Sequence, residues 1–274
     1  MIFPARIAAY NGRHGAITIE KASLTVTAVN KQRKYGELNP VFEASYTGFK
    51  NDEDFEKSDL TGQPGLTTIA DTLTPIGTYT ITASEGELAS RNYTMTYVDG
   101  DLKIDPAQIA VTIANKTKTY GDANPSLTYV YSGFVNEETL ANSGVTGQPV
   151  ITTTVTTSTG AGLYDITLGK GTLASSNYDF DLVNGSLFVD KATLSVTADN
   201  KTRTYGQNNP AFTATIEGFV NNETLSTAGL LGQASLTTGA SSGIGNNVVN
   251  CAAHLSNFAG VHLRQCVCQH LVCI

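Results

Sequence analysis

The sequence predicts a mostly β protein assembled from tandem units of 85 residues, and three observations carry that expectation. One stretch returns at fixed spacing: Tyr35-Gly36-Glu37-Leu38-Asn39-Pro40, Tyr120-Gly121-Asp122-Ala123-Asn124-Pro125 and Tyr205-Gly206-Gln207-Asn208-Asn209-Pro210, two steps of 85. A period that holds without drift marks an array of one folding unit. Apolar residues also alternate in the same phase in each copy: Leu24, Val26 and Ala28; Ile109, Val111 and Ile113; Leu194, Val196 and Ala198. Such alternation is the pattern of a strand with one buried face. Finally, the chain is rich in Thr, Ser, Gly, Asn and Tyr and lacks Trp. Plentiful β-branched and aromatic residues among turn formers favour sheets.

Taken in order, residues 1–20 read as the last strand of a preceding repeat. Gly15-Ala16-Ile17-Thr18-Ile19-Glu20 stands 85 residues before Gly100-Asp101-Leu102-Lys103-Ile104-Asp105, which stands 85 before Gly185-Ser186-Leu187-Phe188-Val189-Asp190. Repeat 1 spans 21–105 and opens with a strand at 24–28. A polar stretch, Asn30-Lys31-Gln32-Arg33-Lys34, leads into the Tyr-Gly turn. There Gly36 accepts φ > 0, Asn39 tolerates left-handed backbone, and Pro40 bars the helical region to the residue before it. A second strand is expected at 41–46, closing on Gly48-Phe49. The run Asn51-Asp52-Glu53-Asp54 predicts a short helix, since an Asn cap with acids in the first turn complements the helix dipole. Phe55, Leu140 and Leu225 would then point inward, and the helix would stop at Gly62, Gly147 and Gly232. Strands at 65–70 and 77–82 follow. A hairpin is expected to pair 93–97 with 102–104 across Asp99-Gly100, with Asn184-Gly185 as its counterpart.

Repeat 2 spans 106–190 and keeps every landmark. The linkers Asp105-Pro106-Ala107 and Asp190-Lys191-Ala192 leave little slack, which predicts limited bending between neighbours. Repeat 3 reads as truncated at 191–239. Residues 240–274 read as a non-family tail, a frameshifted or misjoined end, because they hold all four Cys and three of the four His.

The ordered set of Asn30-Lys31, Tyr35-Gly36 with Asn39-Pro40, Gly48-Phe49, Gly77-Thr78-Tyr79-Thr80-Ile81, Asn92-Tyr93 and Asp99-Gly100 recurs across residues 15–239. It resembles the MBG repeat (YGX type), a family found in tandem in bacterial surface adhesins and other secreted proteins. The resemblance implies an extracellular, cell-surface structural stalk or spacer of an adhesin, or alternatively a glycan- or mucin-binding adhesion module. Six strands would suit an immunoglobulin-like β-sandwich with one short helix per unit. A helix after the second strand would also suit a β-grasp-like layout.

Charge and composition bound the remaining classes. With 17 Lys+Arg against 24 Asp+Glu the net charge is −7, which argues against a nucleic-acid partner. No apolar run reaches the roughly 18 residues of a membrane span, so no membrane insertion is expected. Met1-Ile2-Phe3-Pro4-Ala5-Arg6 lacks a basic region followed by a long apolar run, so an export signal is expected outside this chain. Residues 1–250 hold no Cys, which suits an exported protein. Partners are expected to be host or environmental glycans or proteins, reached through the full-length protein.

Candidate sites are few. Tyr35 and Tyr120 are the candidate ligand contacts, since an aromatic face beside a turn can stack on a sugar; the competing reading makes each ring a cap on the core. Asp52, Glu53, Asp54, Glu56 and Asp59 offer oxygens to calcium but not in EF-hand order, and read as a solvated segment. Lys31, Lys116 and Lys201 recur beside Asn30, Asn115 and Asn200, yet neighbours cannot crosslink along one strand. Cys251, Cys266, Cys268 and Cys273 with His254, His262 and His270 lack zinc-finger spacing. His14 is the sole histidine before 254, and no catalytic set or phosphate loop is evident. No enzyme, cofactor or metal is expected.

Overall fold

The structure, a computed structural model, describes residues 17–238, 246–257, 261–267 and 270–273. The chain divides into two compact units, Met1–Ala107 and Gln108–Ile274.

The first unit contains β1 (Ala22–Ala28), β2 (Lys31–Lys34), β3 (Ala44–Thr47), β4 (Gly65–Thr67), β5 (Gly77–Ser84), β6 (Tyr93–Val98) and β7 (Gly100–Asp105). They form two sheets, ordered β3-β1-β6 and β2-β7-β5-β4. β1 pairs antiparallel with β3 and parallel with β6, so that Val26 lies between Tyr46 and Tyr97. β7 pairs parallel with β2 and antiparallel with β5. The alternation in β1 turns Leu24, Val26 and Ala28 inward, and β5 and β7 of the other sheet, in contact with β1, bury Ile81, Leu102 and Ile104. Leu60, Leu88 and Tyr93 complete a cluster with Leu24 and Val26. Each such side chain contributes about 1.5–3 kcal/mol on leaving water.

The second unit repeats the plan twice. Its first copy contains β8 (Ala107–Ile113), β9 (Lys116–Thr119), β10 (Tyr129–Ser132), β11 (Val150–Thr153), β12 (Gly162–Gly169), β13 (Tyr178–Val183) and β14 (Gly185–Asp190). The sheets are β10-β8-β13 and β11-β12-β14-β9. Its second copy contains β15 (Ala192–Ala198), β16 (Thr202–Arg203), β17 (Ala214–Glu217), β18 (Leu230–Thr238), β19 (Asn246–Asn257), β20 (Val261–Val267) and β21 (His270–Cys273), ordered β17-β15-β20 and β16-β21-β19-β18. β20 runs parallel to β15, as β6 does to β1. The three strands after Gly239 thus hold the sheet positions that β5, β6 and β7 hold in repeat 1.

Five expectations are corrected. No helix occurs among the described residues. Asn51 and Asp52 take φ of 57° and 56°, as do their counterparts Asn136, Glu137, Asn221 and Asn222 within a few degrees. A pair of left-handed residues closes a tight turn, with Glu53 N donating to Lys50 O at 3.0 Å, and cannot start a right-handed helix. Asp54 then caps a single turn through Glu56 N and Lys57 N, which ends once Ser58 N has bonded Asp54 O. A β-grasp layout needs a helix across its sheet, so that alternative loses its premise. Leu140 and Leu225 are exposed, although Phe55 packs against the core.

The expected hairpin is not one. β6 and β7 are consecutive but lie in different sheets, and the chain crosses between them at Asp99. Asp99 Oδ1 accepts from Ala83 N at 2.9 Å, and Asn184 Oδ1 accepts from Leu168 N at 2.8 Å. Gly100 is needed for space, since a Cβ there would lie 2.4 Å from Ala28 O. Finally, residues 17–20 carry no strand, and the rest of the segment read as a preceding repeat's strand lies outside the described residues.

Candidate functional site

β2 ends where the Tyr-Gly turn begins. Glu37 N donates to Lys34 O at 3.2 Å and Gly36 has φ +83°, the geometry of a turn that requires positive φ at its third residue. Tyr35 N donates to Asp105 O at 2.8 Å, tying the turn to the last strand of its repeat. Asn39 Nδ2 donates to Ala70 O at 2.7 Å, and Asn124 Nδ2 does the same to Val155 O. Pro40, Pro125 and Pro210 are all half-buried behind the turn.

A buried cation sits beneath the motif. Arg33 is 5% exposed; its Nε donates to Asn39 Oδ1 at 2.7 Å, and its other nitrogens donate to the carbonyls of Lys34 and Asp71. In repeat 2 Lys118, 7% exposed, donates from Nζ to Asp122 O at 3.0 Å and Thr156 O at 2.7 Å. A buried charge is tolerated only with such partners. These cations lock the turn to the loop at 71 and 156.

Within the second unit the turn meets the next repeat. Tyr120 is 8% exposed and donates its hydroxyl to Glu223 Oε1. Asn221 Nδ2 donates to Thr157 O at 3.0 Å, and Gly121 N donates to the same carbonyl at 3.1 Å. A Cβ on Gly121 would lie 2.6 Å from the Val220 side chain. The hydrogen bond to the Glu223 carboxylate, with burial second, holds the Tyr120 phenol above its ordinary pKa. Tyr35 is 4% exposed, whereas Tyr205 is 62% exposed. Rings as covered as Tyr35 and Tyr120 present no open face to a sugar.

The acidic segment of repeat 1 is used internally. Glu53 Oε2 accepts from Tyr93 Oη at 2.6 Å, and the Tyr93 oxygen accepts from Lys50 N at 2.9 Å. Asp54 pairs with Lys57 at 2.9 Å. Asp59 accepts from Ser90 Oγ at 2.6 Å and Arg91 N at 2.7 Å, and the Ser90 bond holds its carboxyl below the ordinary value. Phe49 and Phe134 pack edge-on against Tyr93 and Tyr178. Lys31 pairs with Glu43 at 2.6 Å, while Asn30 and Asn115 accept from Asp101 N and Ser186 N. Among the described residues no group of three His, Cys, Asp or Glu side chains forms a metal site. His14 and Cys268 lie outside the described residues, and the other tail Cys and His fall on β19, β20 and β21. Among the described residues no helix is long and apolar enough to cross a membrane.

Sequence reasoning singled out the Tyr-Gly turn but missed its partners. The signals were present: a basic residue recurs at 33, 118 and 203, and Asn-x-Glu recurs at 51–53, 136–138 and 221–223. Separately, Phe42, Tyr46, Phe55, Glu43 and Gln63 line an open groove of about 480 Å³ in repeat 1.

Comparison with known proteins identifies a family. The family model of the MBG domain (YGX type) matches residues 24–103, 109–188 and 194–257. No curated protein matches the chain.

Proposed function

Because this chain belongs to the MBG domain (YGX type) family over three tandem matches, we propose that it is a structural spacer within a bacterial cell-surface adhesin. In this reading each 85-residue repeat is an immunoglobulin-like β-sandwich, formed as its three- and four-stranded sheets close on one core. The role is mechanical and non-catalytic, outside the cell. The repeat limits are 21–105 and 106–190, with the third copy beginning at 191.

The observation that carries the reading is the joint between repeats 2 and 3. Lys191 alone separates β14 from β15. Beside that short linker, Tyr120 bonds Glu223, Asn221 bonds Thr157, and Val220 abuts Gly121. A short linker flanked by specific side-chain contacts resists bending, which is what a spacer requires. Replacing residues 21–190 in the parent surface protein with unrelated rigid β-repeats of equal length should preserve adhesion. Loss of adhesion despite normal surface display would overturn the spacer role.

A second reading, direct glycan or mucin binding, draws support from the Phe42, Tyr46 and Phe55 groove, whose volume of about 480 Å³ lies within the range of small-ligand sites. Glycan-array binding by the whole chain, abolished by Tyr46→Ala with the fold intact, would favour it.

A further inference from the structure

In repeat 1, β3 and β4 are edge strands of the two sheets, and residues of both line the open groove. β3 pairs with β1 alone. Val29 N donates to Glu43 O at 2.8 Å, and that bond sets the alternation along the strand. Ser45 and Thr47, opposite Thr27 and Thr25, turn their backbone groups toward β1, while Ala44 and Tyr46 turn theirs outward. Among the described residues no group bonds the outward N–H and C=O of Ala44 and Tyr46. The side chains of the same two residues are half-buried and line the groove with Phe55 and Leu66. The Phe55 ring lies 5.1 Å from that of Tyr46.

Ala44 is what leaves room there. Its counterpart in repeat 2 is Tyr129, whose ring stands edge-on, 5.6 Å from that of Tyr131, the counterpart of Tyr46. A methyl group in place of that ring leaves space beside Tyr46, bounded on the far side by Leu66 of the other sheet. The rim is acidic: over residues 43–59 the chain holds six Asp and Glu against two Lys.

We propose that this groove docks an extended segment of another protein, which adds to β3 as an antiparallel strand. The free backbone chooses the occupant. The outward donors and acceptors of Ala44 and Tyr46 repeat every two residues, roughly 7 Å apart, and another extended backbone matches that spacing. In such an addition main-chain bonds supply affinity, and pockets for alternate side chains supply specificity. Residues directly opposite Ala44 and Tyr46 share their face of the sheet, so every second side chain of the segment enters the groove. Those side chains are apolar, against Tyr46, Phe55 and Leu66, and the flanking ones are basic, to suit the rim. A second copy of this chain, at a net charge of −7, suits that rim poorly. The proposal stands apart from the spacer role and gives the groove a polypeptide in place of a glycan.

Synthetic peptides of about nine residues, the length of a strand, test it on the full chain. Each alternates leucine with threonine between terminal lysines, is blocked at both ends, and is added up to about 1 mM, where weak affinities register. Amide hydrogen exchange read by NMR should slow about tenfold or more at Ala44 and Tyr46, whose N–H groups gain acceptors. Methylating the leucine nitrogens removes the donors that face β3 and should lower affinity about tenfold or more, whereas methylating the threonine nitrogens, which face away, should not. Terminal glutamates in place of the lysines should weaken binding. Ala44→Tyr, which installs the residue of repeat 2, should fill the groove and weaken binding about tenfold or more. Its thermal melt should match the parent, since repeat 2 folds with a tyrosine there. Unchanged exchange at Ala44 and Tyr46 would overturn the proposal, as would equal losses from the two methylation patterns or full binding by Ala44→Tyr. Saturable glycan binding in the groove that slows neither amide would also overturn it, in favour of the glycan reading.

Discussion

At the scale of single residues, two glycines only three positions apart face opposite constraints. Gly144 and Gly147 have φ of +70° and +78°, so a side chain strains either one. A Cβ on Gly144 would meet nothing within 4 Å, while one on Gly147 would lie 2.1 Å from Thr172 O, a backbone atom that cannot swing aside. Gly144→Ala should therefore cost about 1–2 kcal/mol, the left-handed penalty alone. Gly147→Ala should cost clearly more, because it also breaks the pairing of Thr146 with Ala174. Thermal or urea melts of the two variants give the comparison; equal losses would mean that the close approach does not matter. Asp59 shows a different sensitivity. Its carboxyl is held below the usual value chiefly by the Ser90 hydroxyl, and secondarily by backbone donors at Arg91 and Asn92. A depressed carboxylate contributes stability that is full above its unfolded pKa and is lost as pH falls through the folded value. Melting temperature should thus decline below about pH 4. Asp59→Asn should flatten part of that slope, and an unchanged slope would show that the Ser90 contact has no energetic weight.

At the scale of elements, the crossing between sheets depends on a side chain that looks like an ordinary turn residue. Asn184 Oδ1 accepts from Leu168 N, and Leu168 is buried. Removing the acceptor leaves that donor unmet, so Asn184→Ala should destabilise by about 1–3 kcal/mol. Asn184→Asp, which keeps the acceptor as repeat 1 does with Asp99, should restore most of the loss in a chemical-denaturation series. This crossing also shows why the sequence was legible only in part. β1, β8 and β15 were plain, because one buried face imposes alternation whatever the strand pairs with. Asp99-Gly100 was misread because the same dipeptide serves a tight hairpin and a passage close under Ala28, and only the distant strand distinguishes them. Asn51 was misread because asparagine suits both a helix cap and left-handed backbone, and the residues around it carry no further signal. The parallel pairing of β1 with β6 joins residues about seventy positions apart and leaves no local trace. In the candidate site the tyrosine stood out by its period. Arg33 and Lys118 share that period but read as solvated, since a buried lysine or arginine among polar neighbours looks like a loop residue until its carbonyl partners are placed.

At the scale of the whole molecule, what couples one repeat to the next is chemistry that pH can reach. Tyr120 donates to a carboxylate at the joint of repeats 2 and 3, and its phenol is held above the ordinary tyrosine value, first by that bond and then by burial. A tyrosine whose pKa is higher in the docked state binds its proton more tightly there. The joint's contribution is therefore fully present below the undocked pKa, about 10, and falls away as pH rises through the docked value. Once ionised, Tyr120 loses the proton that it donates and faces the Glu223 carboxylate as a like charge. The strands of each repeat do not depend on this bond, so the joint should loosen before either repeat unfolds. Residual dipolar couplings, fitted separately for the strands of repeats 2 and 3, should report a fixed mutual orientation at neutral pH. Averaging should set in above about pH 10 with strand signals still dispersed. Tyr120→Phe should show the averaging at every pH and lose the alkaline transition, while Glu223→Gln should weaken the joint but shift its loss to a different pH. An orientation unchanged in Tyr120→Phe would mean that the short linker at Lys191 stiffens the pair alone, and that the recurring tyrosine serves only the turn it begins.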